Sequence, residues 1–213
     1  MYRLWGDTET GGLNPCKHAV LTLYFQITNE DFSFVDEIDL LIKPDVISAD
    51  QFTKEALKVT GINLGEHLKN PNTLTYTQAR IKILDFLNKY KIPKARTSYR
   101  LHGQNVSFDV NMLKFSGILP EEDYSKLIHH SVRDTLYFSQ MLQEFGYLAE
   151  DQPLNLGALC EFFGVPPAAY HNAKADVQST ILLYRAMVEC FKKDKNKALS
   201  GISDSILNVI EGR

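Results

Sequence analysis

The chain has 213 residues, 44% hydrophobic and 23% charged, which suits a globular protein long enough for one well-buried domain. A net charge of −3 gives no overall basic surface for nucleic acid, although a local positive groove needs no such excess. Cys16, Cys160 and Cys190 are odd in number, widely spaced and in no Cys-x-x-Cys arrangement, which excludes a disulfide frame or zinc site and points to free thiols. No run approaches the roughly 18 apolar residues of a membrane span, and the first dozen residues hold no apolar signal core, so a cytoplasmic location away from membranes is expected.

Tyr2 to Gly6 has the apolar and aromatic look of a short strand, ended by Gly11-Gly12 in a flexible turn. Between them stands Asp7-Thr8-Glu9-Thr10. Residues two apart on a strand share a face, so Asp7 and Glu9 present adjacent carboxylates that repel unless a cation lies between them. A solvated acidic turn is the commoner fate of such a pair. Leu21, Leu23, Phe25 and Ile27 then alternate with Val20, Thr22, Tyr24 and Gln26, predicting a strand covered on both faces. Phe32 to Lys43 reads as a third strand, and short turns between the three favour an antiparallel meander.

Helical spacing follows. Gln51 to Val59 reads as a short helix, and Thr75-x-x-Gln78 fits a capping box ahead of Ala79, Ile83, Phe86, Leu87 and Tyr90. Thr97 to His102 is a strand. Ser107 is placed to cap a helix carrying Phe108, Met112 and Phe115, and Asp134 to cap one carrying Phe138, Met141, Leu142 and Phe145. Asn155 to Phe163 is a short helix, and a long one runs from about Ala173 to Phe191 with Val177, Ile181, Tyr184, Val188 and Phe191 in its stripe. From Lys192 the chain is basic and weakly periodic, most simply a solvated helix end. Ile210-Glu211-Gly212-Arg213 matches a site used for tag removal and is set aside as a suspected expression scar, a native end being the alternative.

Two further acidic stations accompany the first. Asp109, in Asn105-Val106-Ser107-Phe108-Asp109, falls in a first helical turn, where the helix dipole alone would favour it. His171-Asn172-Ala173-Lys174-Ala175-Asp176 spans a loop and the start of the last long helix. Taken together and in order, these stations resemble the three motifs of the DEDDh 3′–5′ exonucleases, the group of the polymerase proofreading subunit, RNase T and oligoribonuclease. Asp7-x-Glu9-Thr10-Gly11 matches the first, Asn105-x-x-Phe108-Asp109 the second and His171-x-Ala173-x-x-Asp176 the third.

The resemblance implies a ribonuclease-H-like α/β fold, with a mixed five-stranded sheet whose first three strands form the meander. It implies an exonuclease domain over residues 1–191, followed by the basic tail at 192–213. Four carboxylates without thiol or imidazole ligands suit Mg²⁺ or Mn²⁺, two such ions about 3.5–4 Å apart serving an in-line displacement. By resemblance Asp7, Glu9, Asp109 and Asp176 hold the metals and His171 is the general base. Asn172 stands where the related DEDDy class has tyrosine. Thr10, Gly11, Leu13, Asn105 and Phe108 carry over as substrate contacts, while Thr60 stands where relatives often have a histidine. Asp134 is read as a helix cap, and His129-His130 as structural. Release of nucleoside 5′-monophosphates from single-stranded DNA is the leading expectation and a 3′–5′ exoribonuclease the runner-up, since no feature reads a 2′-hydroxyl. A proofreading subunit beside a DNA polymerase, and a binding module with lapsed catalysis, are further readings. Monomer and dimer both remain open.

Overall fold

The computed structural model describes residues 2–166 and 172–210, with side chains to residue 192. The strand rich in apolar residues at both alternations, β2 (Val20–Thr28), lies inside the sheet and is buried along almost its whole length. It pairs antiparallel with β1 (Tyr2–Thr10) and with β3 (Phe34–Lys43), forming the expected meander. Beyond β1 lies β5 (Tyr99–Gly103), parallel to it; β4 (Leu74–Thr75) and β6 (Arg133–Asp134) finish the two edges, giving the order β4-β3-β2-β1-β5-β6. The sheet has six strands and not the expected five, because two-residue edge strands leave no alternation to read.

Helices cover both faces. On one, α3 (Tyr76–Lys89), α4 (Val106–Phe115) and α5 (Glu121–Leu127) join Leu4, Phe25, Ile27 and Ile42 of the sheet in a core that includes Ile83, Leu87 and Met112. On the other, α8 (Ala173–Ile210) lays Ala173, Val177 and Ile181 over Trp5 and Tyr24. A third cluster joins α6 (Thr135–Glu144), α7 (Leu156–Phe162) and α8 through Leu142, Leu159, Leu183 and Met187. Each buried Val, Leu, Ile, Phe or Met among these contributes about 1.5–3 kcal/mol of burial free energy before its lost conformational entropy is counted. Two short helices, α1 (Lys54–Thr60) and α2 (Leu64–Lys69), lie between β3 and β4.

Local signals explain most helix starts. The α3 capping box forms in both directions, Gln78 N–H donating to Thr75 Oγ1 at 3.3 Å and Thr75 N–H to Gln78 Oε1 at 2.9 Å. Helix α4 departs from expectation: it starts at Val106 with Asn105, not Ser107, at its N-cap, in the left-handed region at φ 54°. Its buried stripe is Val106, Asp109, Met112 and Leu113, which turns Phe115 out to 63% exposure. In α6, Leu142 is buried but Met141 and Phe145 are more than half exposed. Helix α8 does not stop at Phe191 but runs on to Ile210, taking the basic stretch into the helix. Among the described residues, no helix is long and apolar enough to cross a membrane.

Candidate active site

Strand β1 does not yield after Gly6. Its antiparallel ladder continues through Asp7 opposite Tyr24 and Glu9 opposite Thr22, with a register shift between Glu9 and Thr10. Trp5, Asp7 and Glu9 therefore share the face that α8 covers, and Thr8 turns the other way. The carboxylates thus stand on a paired strand and not in a loose turn.

Asp109 is brought to Thr8 by a close backbone approach. A Cβ on Gly103 would lie 3.0 Å from the Gly6 carbonyl oxygen and 2.8 Å from Val106 Cβ, so a side chain there would force α4 away from β1. The β1–β5 pairing ends at Trp5 and His102, and the Thr8 amide beyond it donates to Asp109 Oδ1 at 2.9 Å. The Thr8 hydroxyl donates to the same oxygen at 2.6 Å. Asp176 arrives on the first turn of α8. Asn172 starts that helix, its Oδ1 accepting from the amides of Lys174 at 3.0 Å and Ala175 at 3.3 Å. Asp7, Glu9 and Asp176 each offer a carboxylate oxygen, and these oxygens all lie within 4.8 Å of one another.

Burial, then the charges of Asp109, Glu9 and Asp176, hold the Asp7 carboxyl well above the usual carboxylate range. Burial pushes Asp109 up to about 7, against the opposing effect of the two Thr8 hydrogen bonds. Four acids so placed cannot all ionise comfortably near neutral pH without a counter-cation. Their donor set is all oxygen, and the crowded, mutually repelling carboxylates fit a hard divalent cation.

Beside Glu9 opens a cavity of about 460 Å³, walled by Thr10, Leu13, His18, Ala56, Val59 and Phe108 among others. Leu13 stands on its rim at 82% exposure and Phe108 is half-buried. Thr60 also lines it. The adjoining Gly11-Gly12 turn is buried and hydrogen-bonded, contrary to the expected flexible turn. Gly11 N–H donates to Ala19 O and Gly11 O accepts from Thr53 N–H, both at 2.7 Å, and a Cβ on Gly11 would sit 2.4 Å from the Gln51 carbonyl oxygen. Glycine serves packing here.

The structure therefore brings together Asp7, Glu9, Asp109 and Asp176, with Thr10, Leu13 and Phe108 on the adjacent cavity. Gly11 and Asn105 do not line that cavity, and His171 lies outside the described residues. Asp134 caps α6, accepting from Leu136 N–H at 2.9 Å, and also holds the start of α4 by accepting from Asn105 N–H at 2.8 Å. That second role, and the cavity position of His18, escaped the sequence reading. His18 Nδ1 accepts from Asn14 N–H at 2.9 Å, and the only sequence signal was a histidine shortly after the first acidic station.

A mixed sheet with an antiparallel meander, gathering carboxylates from β1, α4 and α8, has the architecture of the ribonuclease-H-like fold. A family model described as Exonuclease (RNase T) matches residues 4–184, and the chain belongs to that exonuclease family. No match was found among curated proteins. Among solved structures the fold is similar to Escherichia coli exonuclease I in complex with a dT13 oligonucleotide, at 19% identity and a TM-score of 0.69 over 93% of this chain and 42% of that one. The zinc-bound form of an E. coli exonuclease I complex with single-stranded DNA aligns at 19% identity and a TM-score of 0.70, over 95% and 43%. A moderately thermophilic exonuclease I from Methylocaldum szegediense gives 21% and 0.69, over 88% and 40%. The chain thus spans less than half the length of these proteins.

Proposed function

We propose that this chain hydrolyses single-stranded DNA from its 3′ end, releasing nucleoside 5′-monophosphates. The observation that carries the reading is the convergence of Asp7, Glu9, Asp109 and Asp176, with Glu9 on the wall of a cavity large enough for a terminal nucleotide and mostly apolar where it meets Leu13, Val59 and Phe108. Membership of the exonuclease family and the likeness to exonuclease I complexes with oligonucleotides support it.

The four acids would hold two Mg²⁺ or Mn²⁺ ions, which supply activation of water and stabilisation of the leaving oxygen. Leu13 and Phe108 hold the terminal nucleotide against the cavity wall, where an apolar or aromatic side chain meets a base face without reading its sequence. The backbone around Thr10 meets the terminal 3′-hydroxyl. Thr8 keeps Asp109 aimed at the cluster through its two hydrogen bonds. His171, five residues before Asp176, accepts the proton of the attacking water, a role for which imidazole is the side chain used most often.

The test is digestion of a 5′-labelled single-stranded DNA oligonucleotide, and of its RNA counterpart, with Mg²⁺, Mn²⁺ or EDTA. Expected is a metal-dependent ladder shortening from the 3′ end, faster on DNA. D7N should slow it about a thousandfold, the scale of losing several kcal/mol of transition-state stabilisation, and H171A by about a hundredfold or more. Faster loss of RNA would assign the exoribonuclease activity instead, and no cleavage of either by wild type would overturn the reading.

A further inference from the structure

Next to the carboxylates, on the same face of the sheet, lies a charged bridge that the catalytic reading does not use. Tyr24 stands directly opposite Asp7 on the neighbouring strand, with its ring buried under the first turns of α8. Its hydroxyl donates to Glu37 Oε2 of β3 at 2.6 Å. The other oxygen of Glu37 accepts from the ammonium of Lys174, which lies 5.4 Å from the centre of the Tyr24 ring. Lys174 is in the first turn of α8, two residues before Asp176. One short chain of contacts thus runs from the helix turn that delivers an acid, through β3, to the residue paired with another acid.

We propose that the Lys174–Glu37–Tyr24 bridge is a positioning latch that seats the first turn of α8 so that Asp176 joins Asp7 and Glu9 as one cation site. The inference rests on the reading of those carboxylates as a divalent-cation site. Asp7 and Glu9 are carried on one strand, whereas Asp176 comes to them on a separate element, the first turn of α8. Within that first turn, Asn172 satisfies the helix's own amides and Ala173 packs over Trp5 and Tyr24. Lys174 adds a charged tie, reaching to the strand beyond β2. Both partners of the ion pair are partly open to water, 39% and 33% exposed as side chains, so its contribution to global stability is small. Its effect is therefore on geometry at the cluster.

Charge alone predicts the opposite of the latch for one variant, which makes the proposal testable. Lys174 is a cation near a cation site; removing it as K174M should tighten divalent binding if only through-space charge matters. If Lys174 is a latch, K174M loosens binding. The experiment is titration of the metal-free protein with Mn²⁺, read by electron paramagnetic resonance of free Mn²⁺ and by thermal shift, on wild type, K174M, K174R, E37Q and D7N. Expected for K174M and E37Q is Mn²⁺ affinity weaker by about tenfold, the scale reported when groups that orient metal ligands are lost. K174R, which keeps the ion pair, should stay within about threefold of wild type, a shift of under 1 kcal/mol. Melting temperatures of the metal-free variants should remain near that of wild type, and in DNA digestion kcat should fall with KM little changed. Tighter or unchanged Mn²⁺ binding in K174M overturns the latch, as does K174R as weak as K174M. A wild type that binds no Mn²⁺, or a D7N that binds it as well as wild type, overturns the cation site itself and the latch with it.

Discussion

Asp109 shows what a crowded, buried acidic cluster costs in stability. Burial pushes its carboxyl up to about 7 although Thr8 holds it with two hydrogen bonds. The unfolded chain would ionise it near the ordinary carboxylate value of 3.8. Between those two values the folded protein keeps a proton that the unfolded chain releases, so this contribution to stability is full below pH about 4 and is lost as pH rises toward about 7. Asp7 is shifted in the same direction. In EDTA the melting temperature should therefore fall across this window, and D109N should fall less and melt higher at pH 7. Mn²⁺ added at pH 7 should raise the wild-type melting temperature and do much less for D109N. A thermal-shift series against pH, with and without metal, checks both. The four acids were legible in the sequence because each lies in a compact motif. The tie between Asp134 and Asn105 was not, because its partners are 29 residues apart and meet only when β6 pairs with β5.

At the level of elements, Asp134 is the hinge between chemistry and stability. By capping α6 and holding the amide of Asn105 it fixes where α4 begins, and Asp109 rides on the first turn of α4. D134A should cost about 1–2 kcal/mol of stability, as for other lost caps, measurable by urea unfolding. It should also lower exonuclease activity under conditions where the variant is fully folded. The buried turn after β1 makes a second prediction. G11A places a Cβ against the Gln51 carbonyl, which cannot rotate aside, so the backbone at Gln51 and Phe52, just ahead of the α1 residues on the cavity wall, must shift. About 1–3 kcal/mol of destabilisation is expected from such overpacking, together with a raised KM for DNA in steady-state digestion. Strands with alternating residues, such as β2, and helices with a full capping box, such as α3, could be read from sequence because their signals are local. The short helices α2 and α5 were not read from the sequence, although α1 and α7, also only seven residues long, were. Phe115 and Phe145 were assigned to buried stripes because their spacing allowed it; burial in α4 follows Val106, Asp109 and Leu113 instead.

Across the whole molecule, the site is assembled from segments far apart in the chain: Asp109 meets Thr8 across 101 residues, and Lys174 meets Glu37 across 137. Contacts of that span are slow to form, since a long loop must close before any of them is made. The fold class was legible despite this, because the order of elements constrains the layers, while the seating of α8 on the sheet was beyond any local pattern. Trp5, the chain's only tryptophan, lies under α8 with its ring 5.4 Å from that of Tyr184 and 4.6 Å from that of His102. Indole emission shifts to longer wavelength when water reaches the ring. The chain therefore carries an intrinsic fluorophore at the seam where the helix bearing Asp176 closes over the sheet. In stopped-flow refolding, the blue shift of that emission should mark the step at which Mn²⁺ uptake begins. A chain with its meander formed but that helix undocked would glow red-shifted and cut nothing.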